Sequence, residues 1–156
     1  MIKTKAAVLF NINKPLRIID IKLPNPKKGE VLIKISASGI CHTQLLELKG
    51  KNATGSHVPN LMGHEGAGVV LEIGKGVTKI KKGDHVVLSW IKGSGMNVIP
   101  KPIKYNNIEI NRGPVTTFSE HSVVSENRVT KINKKIPLKL AALLGCAVPT
   151  LSLIHI

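Results

Sequence analysis

Short apolar runs, broken at close intervals by glycine, proline and asparagine, constrain this chain more than any other feature. The runs are residues 6–12, 16–23, 31–37, 68–73, 85–90 and 120–125, and PNPKKGE and IGKGVTK are among the breaks between them. Runs of that length bounded by turn residues predict strands, and a succession of them predicts an all-β barrel or sandwich. Phe10, Trp90, Tyr105 and Phe118 are all the aromatic residues the chain has, so Val, Ile and Leu must build the core. That bias again favours strands. Helix is expected at two places only. One is 43–48, ended by Gly50; the other is 137–144, where Pro137 suits the first helical turn and Gly145 can end it. Residues 91–116 are irregular, polar and dotted with glycine, which predicts a long surface excursion. At 156 residues the chain is read as one domain, able to bury roughly two-thirds of the surface its unfolded form exposes.

A formal net charge of +14 raises the question of nucleic acid or an anionic membrane as partner. The excess is almost all lysine and is spread along the chain, with Arg17, Arg112 and Arg128 the only arginines. Arginine forks and stacked aromatics, on which nucleic-acid readers depend, are not concentrated anywhere. The reading is therefore a solvated lysine surface with no specific nucleic-acid partner. The clusters at 27–28, 79–82 and 131–135 belong to exposed turns. No stretch is long enough to span a bilayer, and the apolar residues after Lys5 stop at Asn11, too soon for a signal core. A cytoplasmic protein without a membrane partner is expected.

The chemistry is concentrated in three small-residue, turn-like settings: Cys41 in GICHT, His64 in GHEGAG and Cys146 in LLGC. The two cysteines are the only ones present, and nothing else points to an oxidising compartment, so a disulfide is not expected. Two thiolates, one imidazole and an open fourth position describe a catalytic rather than a structural zinc. Buried free cysteines and a core histidine are the plainer alternative. A dinucleotide fold is not visible. It needs G-x-G-x-x-G between a strand and a helix, whereas Gly74-Lys75-Gly76 runs into Val77, Thr78 and Lys79 and GHEGAG has the wrong spacing.

Four motifs then carry a resemblance. GICHT at 39–43, GHEGAGVV at 63–70, KKGDHVV at 81–87 and AALLGC at 141–146 resemble, in order, the motifs of zinc-dependent medium-chain alcohol dehydrogenases. The match covers residues 1 to about 150, the family's GroES-like catalytic domain. TTFSEHSVV at 116–124 resembles the branch that contains glutathione-dependent formaldehyde dehydrogenases. The resemblance implies a mainly β, GroES-like barrel with a few short helices and one catalytic zinc on Cys41, His64 and Cys146. It also implies NAD or NADP held by a Rossmann domain that this sequence lacks. Residues 151–156 read as an atypical tail from a truncated or spliced frame.

Further roles follow from the same resemblance. Thr43 receives the alcohol's proton and passes it toward the cofactor ribose, and it can also cap the helix that begins there. Glu65 lies near the metal and can approach it, the plain reading being an exposed glutamate in a turn. His42 contacts the cofactor phosphate, and Trp90 lines the substrate pocket or is ordinary core. Two departures stand out. Leu46 replaces a histidine that extends the proton relay in many relatives. Gln44 replaces an aspartate that orients the zinc-bound histidine, though its amide oxygen can still accept the imidazole N–H. Residues 91–116 contain no cysteine, so the structural zinc of many relatives is not expected. His57, His85, His121 and His155 are read as ordinary surface or strand residues. The function expected is the zinc- and substrate-binding part of an NAD(P)-dependent alcohol dehydrogenase, acting on a small-molecule alcohol or aldehyde and homo-oligomeric at full length. As this piece alone it is expected to be inactive in hydride transfer. The alternative is a stand-alone GroES-like metal-binding or interaction module.

Overall fold

The computed structural model describes residues 1–51 and 57–154. Within them the strands are β1 (Ile2–Leu9), β2 (Arg17–Leu23), β3 (Glu30–Ser38), β4 (Asn60–Leu61), β5 (Glu65–Ile73), β6 (His85–Ser89), β7 (Ile103–Tyr105), β8 (Ile108–Arg112), β9 (His121–Ser125) and β10 (Val129–Ile132). They form two five-stranded sheets, ordered β2-β1-β4-β8-β7 and β10-β6-β5-β3-β9. The Ala6–Ser119 bridge and the Ala7 N–H donated to the Phe118 carbonyl tie the two together. The mainly β, barrel-like architecture expected from the sequence is what forms.

Period-two alternation explains how the sheets share a core. On β3, Val31 and Ile33 point into one cluster with Val70, Val86, Leu88 and Val124, while Leu32 points into a second with Val8, Ile21, Leu23, Ile110 and Val123. Successive side chains of one strand leave on opposite faces. A strand with core on both sides therefore reads as an unbroken apolar run, as Val31-Leu32-Ile33 does. Ile33 is fully buried, and Ile33→Ala is expected to cost about 2–5 kcal/mol through lost burial and a residual cavity. Urea unfolding checks it; a loss under about 1 kcal/mol would mean that β3 is not central.

Three expectations need correction. Residues 91–116 are not irregular throughout, because β7 and β8 form a hairpin inside them with Ile103 opposite Ile110. Asn106 takes a φ of +52° at its turn, a conformation asparagine tolerates better than most residues. The strand expected to reach Trp90 ends at Ser89. The helix expected over 137–144 is α2 (Leu138–Ala141), which then tightens into a 3₁₀ turn at Ala142–Gly145. Pro137 caps it from an extended conformation instead of entering the first turn. The first helix, α1 (His42–Leu48), begins where expected. Beyond Cys146, α3 (Ala147–Ile154) carries the chain through most of the segment read as a tail. His155 and the end of that tail lie outside the described residues. No helix among them is long and apolar enough to cross a membrane.

The excursion after β6 is fastened by a carboxylate. Glu126 is buried and accepts the backbone N–H groups of Thr78 at 2.7 Å, Lys79 at 2.9 Å and Met96 at 2.9 Å. Gly93 N–H donates to the Asn127 carbonyl, Asn127 N–H to the Met96 carbonyl, and Asn127 Nδ2 to Asn97 Oδ1. The loop thus closes against the turn before β10 through hydrogen bonds. Lys27, Lys28, Lys81, Lys82, Lys131, Lys134 and Lys135 are exposed, as the charge pattern predicts, and Lys79 is half-buried with its ammonium on the Ser94 carbonyl.

Candidate metal centre

Three chain reversals bring the chemistry together. Cys41 is the residue just before α1, with φ −97° and ψ 156°. His64 leaves the turn at Gly63 and enters β5, and Cys146 sits between the 3₁₀ turn and α3. Glycine is required on two of these approaches. A Cβ on Gly63, whose φ is +89°, would lie 2.4 Å from Thr117 Oγ1, and one on Gly145 would lie 2.3 Å from the Leu88 carbonyl oxygen. GHE and GC therefore have a steric origin.

The sulfurs of Cys41 and Cys146 and a ring nitrogen of His64 all lie within 4.8 Å of one another. Ligand atoms around one tetrahedral zinc stand roughly 3.5–4 Å apart, given zinc–sulfur and zinc–nitrogen bonds near 2.3 and 2.0 Å, so small side-chain shifts suffice. Gln44 occupies His64 Nδ1 at 2.8 Å. His64 Nε2 is buried and has no hydrogen-bond partner. An orphaned imidazole nitrogen beside two thiols is the donor set a soft divalent ion completes. Burial holds the His64 imidazole below its usual pKa, opposed by the neighbouring Glu65 charge, so the ring is neutral as a ligand must be. Burial pushes the Cys146 thiol up. The Thr150 hydroxyl and the Trp90 indole oppose that, while Cys41 and Glu65 reinforce it. A bound divalent cation reverses that balance by deprotonating its thiol ligands.

Glu65 is neither exposed nor in a turn. It lies on β5, only 1% exposed, and its Oε2 accepts the Ala147 N–H at 3.0 Å. Its carbonyl accepts from Ser38 Oγ at 3.0 Å and Thr117 Oγ1 at 2.9 Å. It joins the residue after His64 to the residue after Cys146. Thr43 Oγ1 accepts from the Cys41 thiol at 3.7 Å, and Cys146 Sγ stands 3.6 Å from Thr150 Oγ1. Trp90 is half exposed; with Gln44, Glu47, Met62, His64 and Val115 it lines a cavity of about 130 Å³. Arg128 donates to its carbonyl. His42 is exposed on the first turn of α1, away from the sulfurs' hydrogen bonds. His121 pairs with Thr4, and His57 is exposed. His85 is half-buried on β6.

Sequence reasoning missed Thr117, Ser38 and Thr150, single hydroxyl residues whose spacing carries no signal. It also misassigned the Gln44 amide: Gln44 Oε1 accepts the Cys41 N–H at 2.9 Å, so the group that meets His64 is the amide nitrogen. A family model for the alcohol dehydrogenase GroES-like domain matches residues 27–134. The chain belongs to this family. It is 37% identical to an NDMA-dependent alcohol dehydrogenase of Amycolatopsis methanolica over 95% of this chain and 46% of that protein. With an S-(hydroxymethyl)glutathione dehydrogenase of Escherichia coli it shares 38% identity over 95% of this chain and 47% of that one. Family members thus match it nearly end to end, yet the chain spans about half their length. The crystal structure of benzyl alcohol dehydrogenase from Acinetobacter calcoaceticus superposes with a TM-score of 0.81 at 28% identity, covering 96% of this chain and 46% of that one.

Proposed function

We propose that this chain is the zinc- and substrate-binding part of an NAD(P)-dependent alcohol dehydrogenase, with Cys41, His64 and Cys146 as ligands to one catalytic zinc. The observation that carries the reading is the convergence of two sulfurs on an imidazole whose Nε2 has no other partner. When bound there, zinc supplies Lewis-acid polarisation of an alcohol oxygen. The protein's own part is to hold and dry that site. Glu65 fixes the Cys146 segment through Ala147. Thr43, at hydrogen-bonding reach of the Cys41 sulfur, carries the alcohol's proton outward. Trp90 walls the cavity that opens on His64 and so limits which alcohols enter. His42 meets an anionic group of the cofactor, a role that its exposure beside Thr43 supports. The names of the two sequence relatives favour an alcohol or a hydroxymethyl adduct as substrate.

Metal-reconstituted protein is expected to hold close to one zinc per chain, and Cys41→Ser to reduce that at least tenfold, since structural and catalytic zinc sites depend on every thiolate. Elemental analysis after gel filtration measures it. Cobalt in place of zinc should add a sulfur-to-metal charge-transfer band that Cys146→Ser weakens. Well under one zinc per chain, unchanged by Cys41→Ser, would end the reading.

A further inference from the structure

The amide of Gln44 serves two hydrogen bonds whose chemical requirements conflict once a metal is bound. Gln44 is the third residue of α1 and is 2% exposed. Its Oε1 accepts the Cys41 N–H at 2.9 Å, the reciprocal half of a helix capping box. A backbone N–H can only donate, so the oxygen must be the atom on that side. This fixes the orientation of the amide, and the Nε2 at 2.8 Å from His64 Nδ1 must be the donor there. His64 Nδ1 is therefore an acceptor, and in a neutral ring the proton sits on Nε2.

Nε2 is also the ring nitrogen left over for a metal, being buried and without a partner. A neutral imidazole cannot carry a proton and a metal on the same nitrogen. For Nε2 to coordinate, the proton has to move to Nδ1, where it meets the Gln44 NH₂ group. Turning the amide over resolves that clash and creates another, because the NH₂ then faces the Cys41 N–H. Either arrangement leaves two donors opposed at a glutamine that is itself only 2% exposed.

We propose that Gln44 sets the proton on the non-coordinating pattern of His64 and thereby weakens the metal site. A carboxylate in the same place accepts from both the Cys41 N–H and an Nδ1 proton, so the cap and the metal-ready imidazole coexist. Gln44 is a positioning residue in this account, acting on the metal site through His64. The inference rests on the zinc reading above only for its second measurement.

Gln44→Glu keeps the length and shape of the side chain and is the deciding variant. In the metal-free chain at about pH 8, nitrogen-15 NMR of the histidine rings is expected to show His64 protonated on Nε2 in the parent and on Nδ1 in Gln44→Glu. In competition with a chromophoric chelator, Gln44→Glu is expected to bind zinc 10–100-fold more tightly, the range for outer partners of a metal-bound histidine. Gln44→Leu removes both hydrogen bonds and controls for loss of the helix cap: it should not reproduce the gain. An Nδ1 proton in the parent, or equal zinc affinity for the parent and Gln44→Glu, overturns the proposal. If no variant binds zinc, the metal reading fails, and the NMR spectra still decide what Gln44 does to His64.

Discussion

Glu126→Ala is expected to lower the stability of this chain by about 3–5 kcal/mol, because three backbone N–H groups lose a charged acceptor at once and each is worth roughly 1–3 kcal/mol. The donors belong to Thr78 and Lys79, between β5 and β6, and to Met96, after β6, so the loss loosens both connections from the turn before β10. Glu126→Gln retains one acceptor oxygen and puts an NH₂ where the second stood, and about half of the loss is expected to return. The two variants also differ from the parent in acid. Burial raises the Glu126 pKa, but the hydrogen bonds from Met96, Lys79 and Thr78 and the Lys79 charge outweigh it and hold the carboxyl below its ordinary value of 4.5. Asp84 behaves alike: burial raises it, while the Lys81 N–H and the Lys131 ammonium at 3.0 Å bring it below 3.8. Carboxyls depressed in the folded state contribute fully above those ordinary values and lose their contribution as the pH falls through the lower, folded ones. Urea midpoints measured from neutral pH down to about pH 3 should be flat near neutrality and fall steeply in acid. Glu126→Gln should flatten the acid limb. An acid limb unchanged in that variant would show that Glu126 is not the clasp.

Gly145→Ala is expected to damage the fold and the metal site together. The added methyl would stand 2.3 Å from the Leu88 carbonyl oxygen and 2.9 Å from Glu65 Cβ. The first of these is backbone and cannot swing aside. The 3₁₀ turn must then lift from β6, against the Ser89 hydroxyl that donates to the Gly145 carbonyl at 2.6 Å. Overpacking of this kind costs about 1–3 kcal/mol. The next residue is Cys146, so the same displacement carries a ligand sulfur away from its partners, and zinc affinity should fall 10–100-fold, as for loss of an outer support. Thermal unfolding and chelator competition on one preparation test both halves. A variant with reduced stability and unaltered zinc affinity would detach Cys146 from the ligand set.

The parts of this structure that were legible in the sequence are those with a local cause. Val31-Leu32-Ile33 announced a strand because both of its faces are buried, and Gly63 and Gly145 marked the approaches to His64 and Cys146 because a side chain there collides with backbone or with Thr117. The β7–β8 hairpin was legible in principle. Ile103-Lys104-Tyr105 and Ile108-Glu109-Ile110 alternate around an asparagine pair, yet the polar surroundings masked a period that spans only a few residues. β4 was not legible, since two residues have no period and pair only because β1 and β8 flank them. Gln44 shows the same limit at the site. Its position beside a ligand was readable, whereas the direction of its amide depends on the Cys41 N–H, a partner that becomes visible only once α1 has formed.

The Glu65–Ala147 hydrogen bond also bears on how an ion would come and go. Because β5 is locked into its sheet on both sides by β3 and β6, the stretch around Cys146 is the side of that bond expected to move first. Release would then begin with a local opening of that stretch and not with breathing of the barrel. Exchange kinetics should follow the protection of the Ala147 amide against deuterium, and a weakened Glu65 would shorten the ion's residence time before it changed the melting temperature.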